Sequence, residues 1–101
     1  TIQRRADLRE ADLSECELSA ANLERSVLRA VVLAGATLRG ANLEKADLRE
    51  ANLDGADLRE ANLEKADVDG AVLDGANLES ANLDRIKGRP GGKRPPSGPY
   101  R

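Results

Sequence analysis

From residue 6 to residue 85 the chain repeats a five-residue pattern of small apolar, polar, large apolar, polar, polar. The third position is Leu in fifteen of sixteen units, with Val68 the exception, and the first is Ala except at Cys16, Ser26 and Val31. A period of five fits neither regular element. On an α-helix the leucines would step by about 140° and smear over every face. On a flat strand alternate leucines would point to opposite sides. Within one unit, however, the first and third residues are two apart, so a short extended stretch points both the same way. If the chain turns a corner before each new unit, every Ala and Leu faces one interior. The pattern therefore predicts a coil of very short strands, an all-β solenoid.

A slower period sets the number of sides. The units at 21–25, 41–45, 61–65 and 81–85 read ANLER, ANLEK, ANLEK and ANLDR, twenty residues apart. Four units per turn would stack them on one side and align Asn22, Asn42, Asn62 and Asn82 in a column. Such a column is expected to bond between layers, as amide ladders do in stacked β-structure. Numbering the sides from the unit at 6, the first carries a net charge of −3, the second −4, the third −2 and the fourth zero. On the fourth, Glu24, Glu44, Glu64 and Asp84 stand beside Arg25, Lys45, Lys65 and Arg85, an arrangement expected to relieve repulsion between stacked like charges.

The A(D/N)Lxx pattern over residues 6–85 resembles the pentapeptide-repeat family. That resemblance implies a right-handed quadrilateral β-helix, here of about four coils, with the central Leu and the preceding small residue inside and the other positions outside. The expected organisation is an N-terminal flank at 1–5, the solenoid at 6–85, and a basic Pro/Gly-rich disordered tail at 86–101. From Ile86 the repeat stops and Pro, Gly and five positive charges follow, which is the composition of an extended, solvated segment.

Composition narrows the picture further. There is no His, Phe, Trp or Met in 101 residues, and Tyr100 is the single aromatic. A core made almost wholly of Leu, Ala and Val suits an interior that repeats one small cross-section. No run of about 18 apolar residues occurs, so no membrane span is expected. Cys16 is alone, and at an Ala-type position it is expected to be a buried small hydrophobe; a single thiol makes a reducing, cytoplasmic setting the default. The net charge of −2 divides unevenly, because the repeat block holds eighteen acidic against nine basic residues, a net of −9, while the flanks are basic.

No catalytic constellation emerges. Without His, and with the one Cys inward, no nucleophile–base pair is available, and carboxylates in regular columns lack the shielded cleft that shifts a pKa. No cofactor or metal is expected: pairs such as Asp67 and Asp69 fall short of the ligand number calcium prefers. The second side is the candidate interaction face. It carries Asp12, Glu15, Asp54 and Asp74 with no base, apolar Val32, Ala34 and Val72, and a Gly35, Gly55, Gly75 column that keeps it flat or simply serves tight turns.

The expectation is a non-catalytic interaction or scaffold module with a protein partner, since solenoids present long regular surfaces. Neither direct nucleic-acid binding by the solenoid nor a membrane is expected, and the solenoid ends are expected to support a homodimer. The family resemblance also implies an alternative, a DNA mimic that binds DNA gyrase and confers quinolone resistance. The −9 body fits that charge, whereas the short rod, the lack of Phe-centred coils and the basic flanks count against it.

Overall fold

The computed structural model describes residues 7–91. Each unit contributes one isolated parallel bridge, always from its second residue, and the partner is twenty residues on: Asp7 with Val27, Asp12 with Val32, Glu17 with Thr37, Asn22 with Asn42, and so upward. The chain thus comes back over itself every four units, as the ANLE(R/K) spacing predicts. No longer strand forms among the described residues, because each side is only three residues long before the next corner.

The corners are tight turns. The carbonyl of each third residue accepts from the N–H of the next unit's first residue, as in Ala46 to Leu43 at 3.0 Å. All sixteen fifth-position residues have φ between 58° and 74°, and no fourth-position residue does, which is the signature of a type II turn. Only five of the sixteen are Gly. The repeat therefore imposes the left-handed conformation even on Glu, Lys, Arg, Ala and Ser, at a cost of about 1–2 kcal/mol each.

The backbone hydrogen bonds close unit by unit. For the unit beginning at Ala41, Asn42 N–H donates down to the Ala21 carbonyl, 2.9 Å, while Leu43 and Lys45 N–H donate up to Asn62 and Glu64 carbonyls at 2.7 and 2.8 Å. The turn takes the Ala46 N–H. One donor is left, that of Glu44, and it goes to Oδ1 of Asn42 at 3.1 Å. The same side-chain bond recurs at Asn22, Asp47, Asn52, Asp57, Asn62, Asp67, Asn77 and Asn82. This overturns the expected amide ladder. The Oδ1 atoms of the Asn column bond inside their own units, since the fourth-position N–H has no backbone partner and an Asx turn supplies one.

The interior is as expected from the first and third positions. Leu23 through Leu78 at the third position, with Val68, are at most 4% exposed, and the first-position residues from Ser26 to Ala81 are buried with them. Ser26 is the one buried polar residue in this core, and its Oγ finds no partner. Toward either end the burial relaxes: Leu8, Leu13, Leu18, Leu83 and Ile86 pack against the core but are half-buried. Cys16 follows them. It is half-buried rather than buried, because its coil has a described neighbouring layer on one side only.

The coil also runs past residue 85. Lys87 bridges to Asp67, Gly91 to Val72, and the amides of Val68 and Gly70 donate to the carbonyls of Lys87 and Arg89 at 2.9 and 2.7 Å. Residues 86–91 are therefore a strap paired to the coil and not the disordered segment their composition suggests, with Lys87, Gly88 and Arg89 exposed, while the rest of the expected tail, 92–101, lies outside the described residues. The spacing shortens from twenty to nineteen between Val72 and Gly91, so the strap loses one residue relative to a full side.

Candidate interaction surface

The six residues singled out on the second side do lie together. The ladder runs Asp12, Val32, Asn52, Val72, Gly91. Beside it, Glu15 N–H donates to the Ala34 carbonyl, Gly35 to Asp54 and Gly55 to Asp74, at 2.9, 2.8 and 2.8 Å. Asp12, Glu15 and Asp54 are exposed, whereas Val32, Val72 and Asp74 are half-buried. The apolar patch is consequently slight, and no large hydrophobic side chain is exposed among the described residues. At the corner Gly75 lies close over Gly55, whose Cα is 3.7 Å from where a Gly75 Cβ would sit, so this part of the ridge is low.

On the first and third sides some of the carboxylates are paired in a pattern that the sequence columns did not show. Arg9, Arg49 and Arg59, at fourth positions, each grip the second-position Asp of their own unit with two nitrogens; the Arg49 bonds to Asp47 are 2.9 and 2.8 Å, and those of Arg59 to Asp57 are 2.9 and 2.7 Å. Arg39 reaches Glu60 of the next layer at 3.4 Å, and Arg49 also lies 4.0 Å from Asp67. The Arg49 side chain, bonded to Asp47, holds that carboxyl below its ordinary pKa, and Arg59 does the same for Asp57. On the second side Asp12 is lowered by a different donor, the Ser14 hydroxyl at 2.5 Å, together with the Ser14 N–H. The second side bears four carboxylates and no Lys or Arg among the described residues. It is the one side where arginine clamps are absent for want of any arginine.

The expected pairing on the fourth side is weaker than its columns suggest. Among the described residues of this side, Arg25 and Glu24 are the one acid–base pair within 4 Å, at 3.9 Å. On the first side, Lys87 and Arg89 of the strap cover an acidic stretch, with Arg89 N–H donating to Oδ1 of Asp69 at 3.2 Å. A shallow surface groove is lined by Lys45, Asp47, Arg49, Lys65, Asp67 and Lys87. Among the described residues no group of three or more His, Cys, Asp or Glu could hold a metal ion, and no helix is long and apolar enough to cross a membrane.

The arrangement defines a class: a parallel β-solenoid of five-residue units with a Leu/Ala core and a patterned charged exterior. The family model described as pentapeptide repeats matches residues 4–29, 26–64 and 51–87. The chain belongs to the pentapeptide-repeat family. Among solved structures it is similar to Rfr23, a pentapeptide repeat protein from the cyanobacterium Cyanothece 51142, at 41% identity and a TM-score of 0.84 over 85% of this chain and 58% of that one. It is similar also to HetL of Nostoc sp. PCC 7120, a pentapeptide repeat protein involved in regulating heterocyst differentiation, at 38% identity and TM-score 0.59 over 79% of this chain and 36% of that one. A third, alr5209 from Nostoc PCC 7120, gives 38% identity and TM-score 0.58 over 89% and 78%. The chain thus spans little more than half of Rfr23 and about a third of HetL. No match is found among curated proteins.

Proposed function

We propose that this chain is a non-catalytic interaction module whose second side docks a basic protein surface. The observation behind the reading is the charge pattern: Asp12, Glu15, Asp54 and Asp74 share one low side with no Lys or Arg among the described residues, while on the first and third sides Arg9, Arg49 and Arg59 clamp Asp7, Asp47 and Asp57. Such a side offers negative potential with little relief to obstruct a partner. The membership of HetL, a regulatory protein by its description, is in keeping with a role by contact rather than by chemistry. Half-buried Leu8, Leu13 and Leu18 support the further reading that the N-terminal end stacks against another coil. The twenty-residue ladder and the family support a right-handed quadrilateral helix of about four coils.

The gyrase-mimic alternative gains no specific support, because the strap sets Lys87 and Arg89 over the first side and breaks a uniform acidic surface. The test is a pull-down from lysate with the wild-type protein and with Asp12→Asn, Asp54→Asn and Asp74→Asn combined. A partner with a basic patch, retained by the wild type and lost by the folded triple variant, is the expected result. A partner retained equally by both refutes the second side as the dock.

A further inference from the structure

The corner between the fourth and first sides bears two parallel columns of opposite charge. Glu24, Glu44, Glu64 and Asp84 occupy the fourth positions, and Arg25, Lys45, Lys65 and Arg85 the fifth. The ladder keeps each column straight: the amides of Arg25, Lys45 and Lys65 donate to the carbonyls of Glu44, Glu64 and Asp84 at 2.9, 2.8 and 2.9 Å. At roughly 4.8 Å per layer the double column runs for about 14 Å. Sequence adjacency puts each acid beside a base, yet Glu44, Glu64, Asp84, Lys45, Lys65 and Arg85 form no ion pair among the described residues. The turn accounts for this. The fifth residue is left-handed and its neighbour is not, so the two side chains do not run side by side as sequence neighbours on a strand or helix would, and even Arg25 reaches Glu24 only at 3.9 Å.

We infer that this corner is a self-complementary contact through which two copies of the chain associate side by side, with their long axes parallel. The inference is independent of the second-side reading. A two-fold axis parallel to the solenoid, placed outside the corner, turns the acidic flank of one copy to the basic flank of the other. Because both copies share the same layer repeat, Glu44, Glu64 and Asp84 meet Lys45, Lys65 and Arg85 of the second copy in register, and the reciprocal pairs form at once. One matched layer fixes the rest. A partner without this repeat would match one layer and miss the next.

The contact is a narrow ridge with exposed ion pairs, well below the roughly 800 Å² per partner of a stable complex, so it is weak, reversible and screened by salt. Sedimentation equilibrium of the full chain should show a monomer–dimer equilibrium whose association constant falls at least about tenfold between 0.05 and 0.5 M NaCl. The double variants Lys45→Glu/Lys65→Glu and Glu44→Lys/Glu64→Lys, each checked for a wild-type circular dichroism spectrum, should both be monomeric alone. Mixed one to one, they should recover a dimer of the two different chains. Three results overturn the inference: a monomeric wild type at millimolar concentration, variants that dimerise as the wild type does (which assigns association to the ends), or a mixture that associates no better than its components. Should either charge reversal fail to fold, Lys45→Gln/Lys65→Gln replaces it, and undiminished dimerisation of that variant is equally fatal.

Discussion

At the scale of single residues, the second position of each unit explains more than its polarity suggests. Asp and Asn there are commonly grouped as surface residues, but they serve the backbone, accepting the fourth-position N–H that the coil leaves over. Val27, Val32 and Val72 carry no side-chain acceptor, and in the three consecutive units of Val27, Val32 and Thr37 the structure shows no such acceptor for Arg29, Ala34 or Arg39. Arg29 and Arg39 are exposed and Ala34 is half-buried, so water replaces the bond at small loss, and each Asx bond is worth about 0.5–1 kcal/mol. Asn62→Ala should therefore lower unfolding stability by about that amount, while Asn62→Asp leaves it nearly unchanged. Thr37→Asn should raise it by about 0.5 kcal/mol. Urea midpoints for the three variants check the set, and an Asn62→Ala as stable as the parent removes the role assigned to the side chain.

Among the elements, the corner and the strap put glycine to different uses, and one substitution at each separates them. At Gly55, φ is 70° and an added Cβ would meet nothing within 4 Å. Gly55→Ala should cost only the left-handed strain, about 1 kcal/mol, and leave the fold intact. At Gly88 the same atom would sit 2.5 Å from the Asp69 Cβ and 2.7 Å from its Cα and N. There is no room, so Gly88→Ala should detach the strap. Hydrogen exchange reads the outcome directly: the Val68 and Gly70 amides, which donate to Lys87 and Arg89, should lose protection while the Leu48 amide keeps its own. Unchanged protection at Val68 and Gly70 would mean that the strap accommodates the methyl. These elements also mark where sequence reading succeeds and fails. The four-unit coil was legible, because Ala and Leu at nearly every first and third position admit one interior and the ANLE(R/K) units suggest the slow period. The left-handed corner was not, since eleven of its sixteen residues are not glycine. The strap leaves little mark in the residue pattern because its pairing is mostly through the backbone: Lys87, Arg89 and Gly91 continue the ladder, and only Ile86 takes an inward place like the Ala and Leu before it. On the candidate surface the grouping of Asp12, Glu15, Val32, Asp54, Val72 and Asp74 followed from the period. The Arg-to-Asp clamps of the other sides did not, because they arise within units, whereas the period aligns only residues of different units.

For the whole molecule, the balance between clamped and unclamped carboxylates sets the response to acid. Asp7, Asp12, Glu17, Asp47 and Asp57 all sit below their ordinary pKa; side-chain donors, Arg9, Ser14, Ser19, Arg49 and Arg59 respectively, are the leading cause. A carboxyl whose folded pKa is depressed stabilises the fold fully above its unfolded value, 3.8 for Asp and 4.5 for Glu, and that stabilisation fades as pH falls through the lower folded value. Stacked carboxylates act in the opposite sense, since protonating them relieves repulsion within a repeat block of net −9. Stability should accordingly hold from neutrality to about pH 5 and drop below about pH 4, where the clamps are lost. The double variant Asp47→Asn/Asp57→Asn isolates the first effect. Each Asn keeps an Oδ1 for the Arg49 and Arg59 amides but cannot pair with the guanidinium. Urea midpoints at pH 7 and pH 3 should fall less in the double variant than in the wild type. If the two fall equally, the clamps do not govern acid stability, and the decline must come from the positive charge that the whole chain acquires in acid.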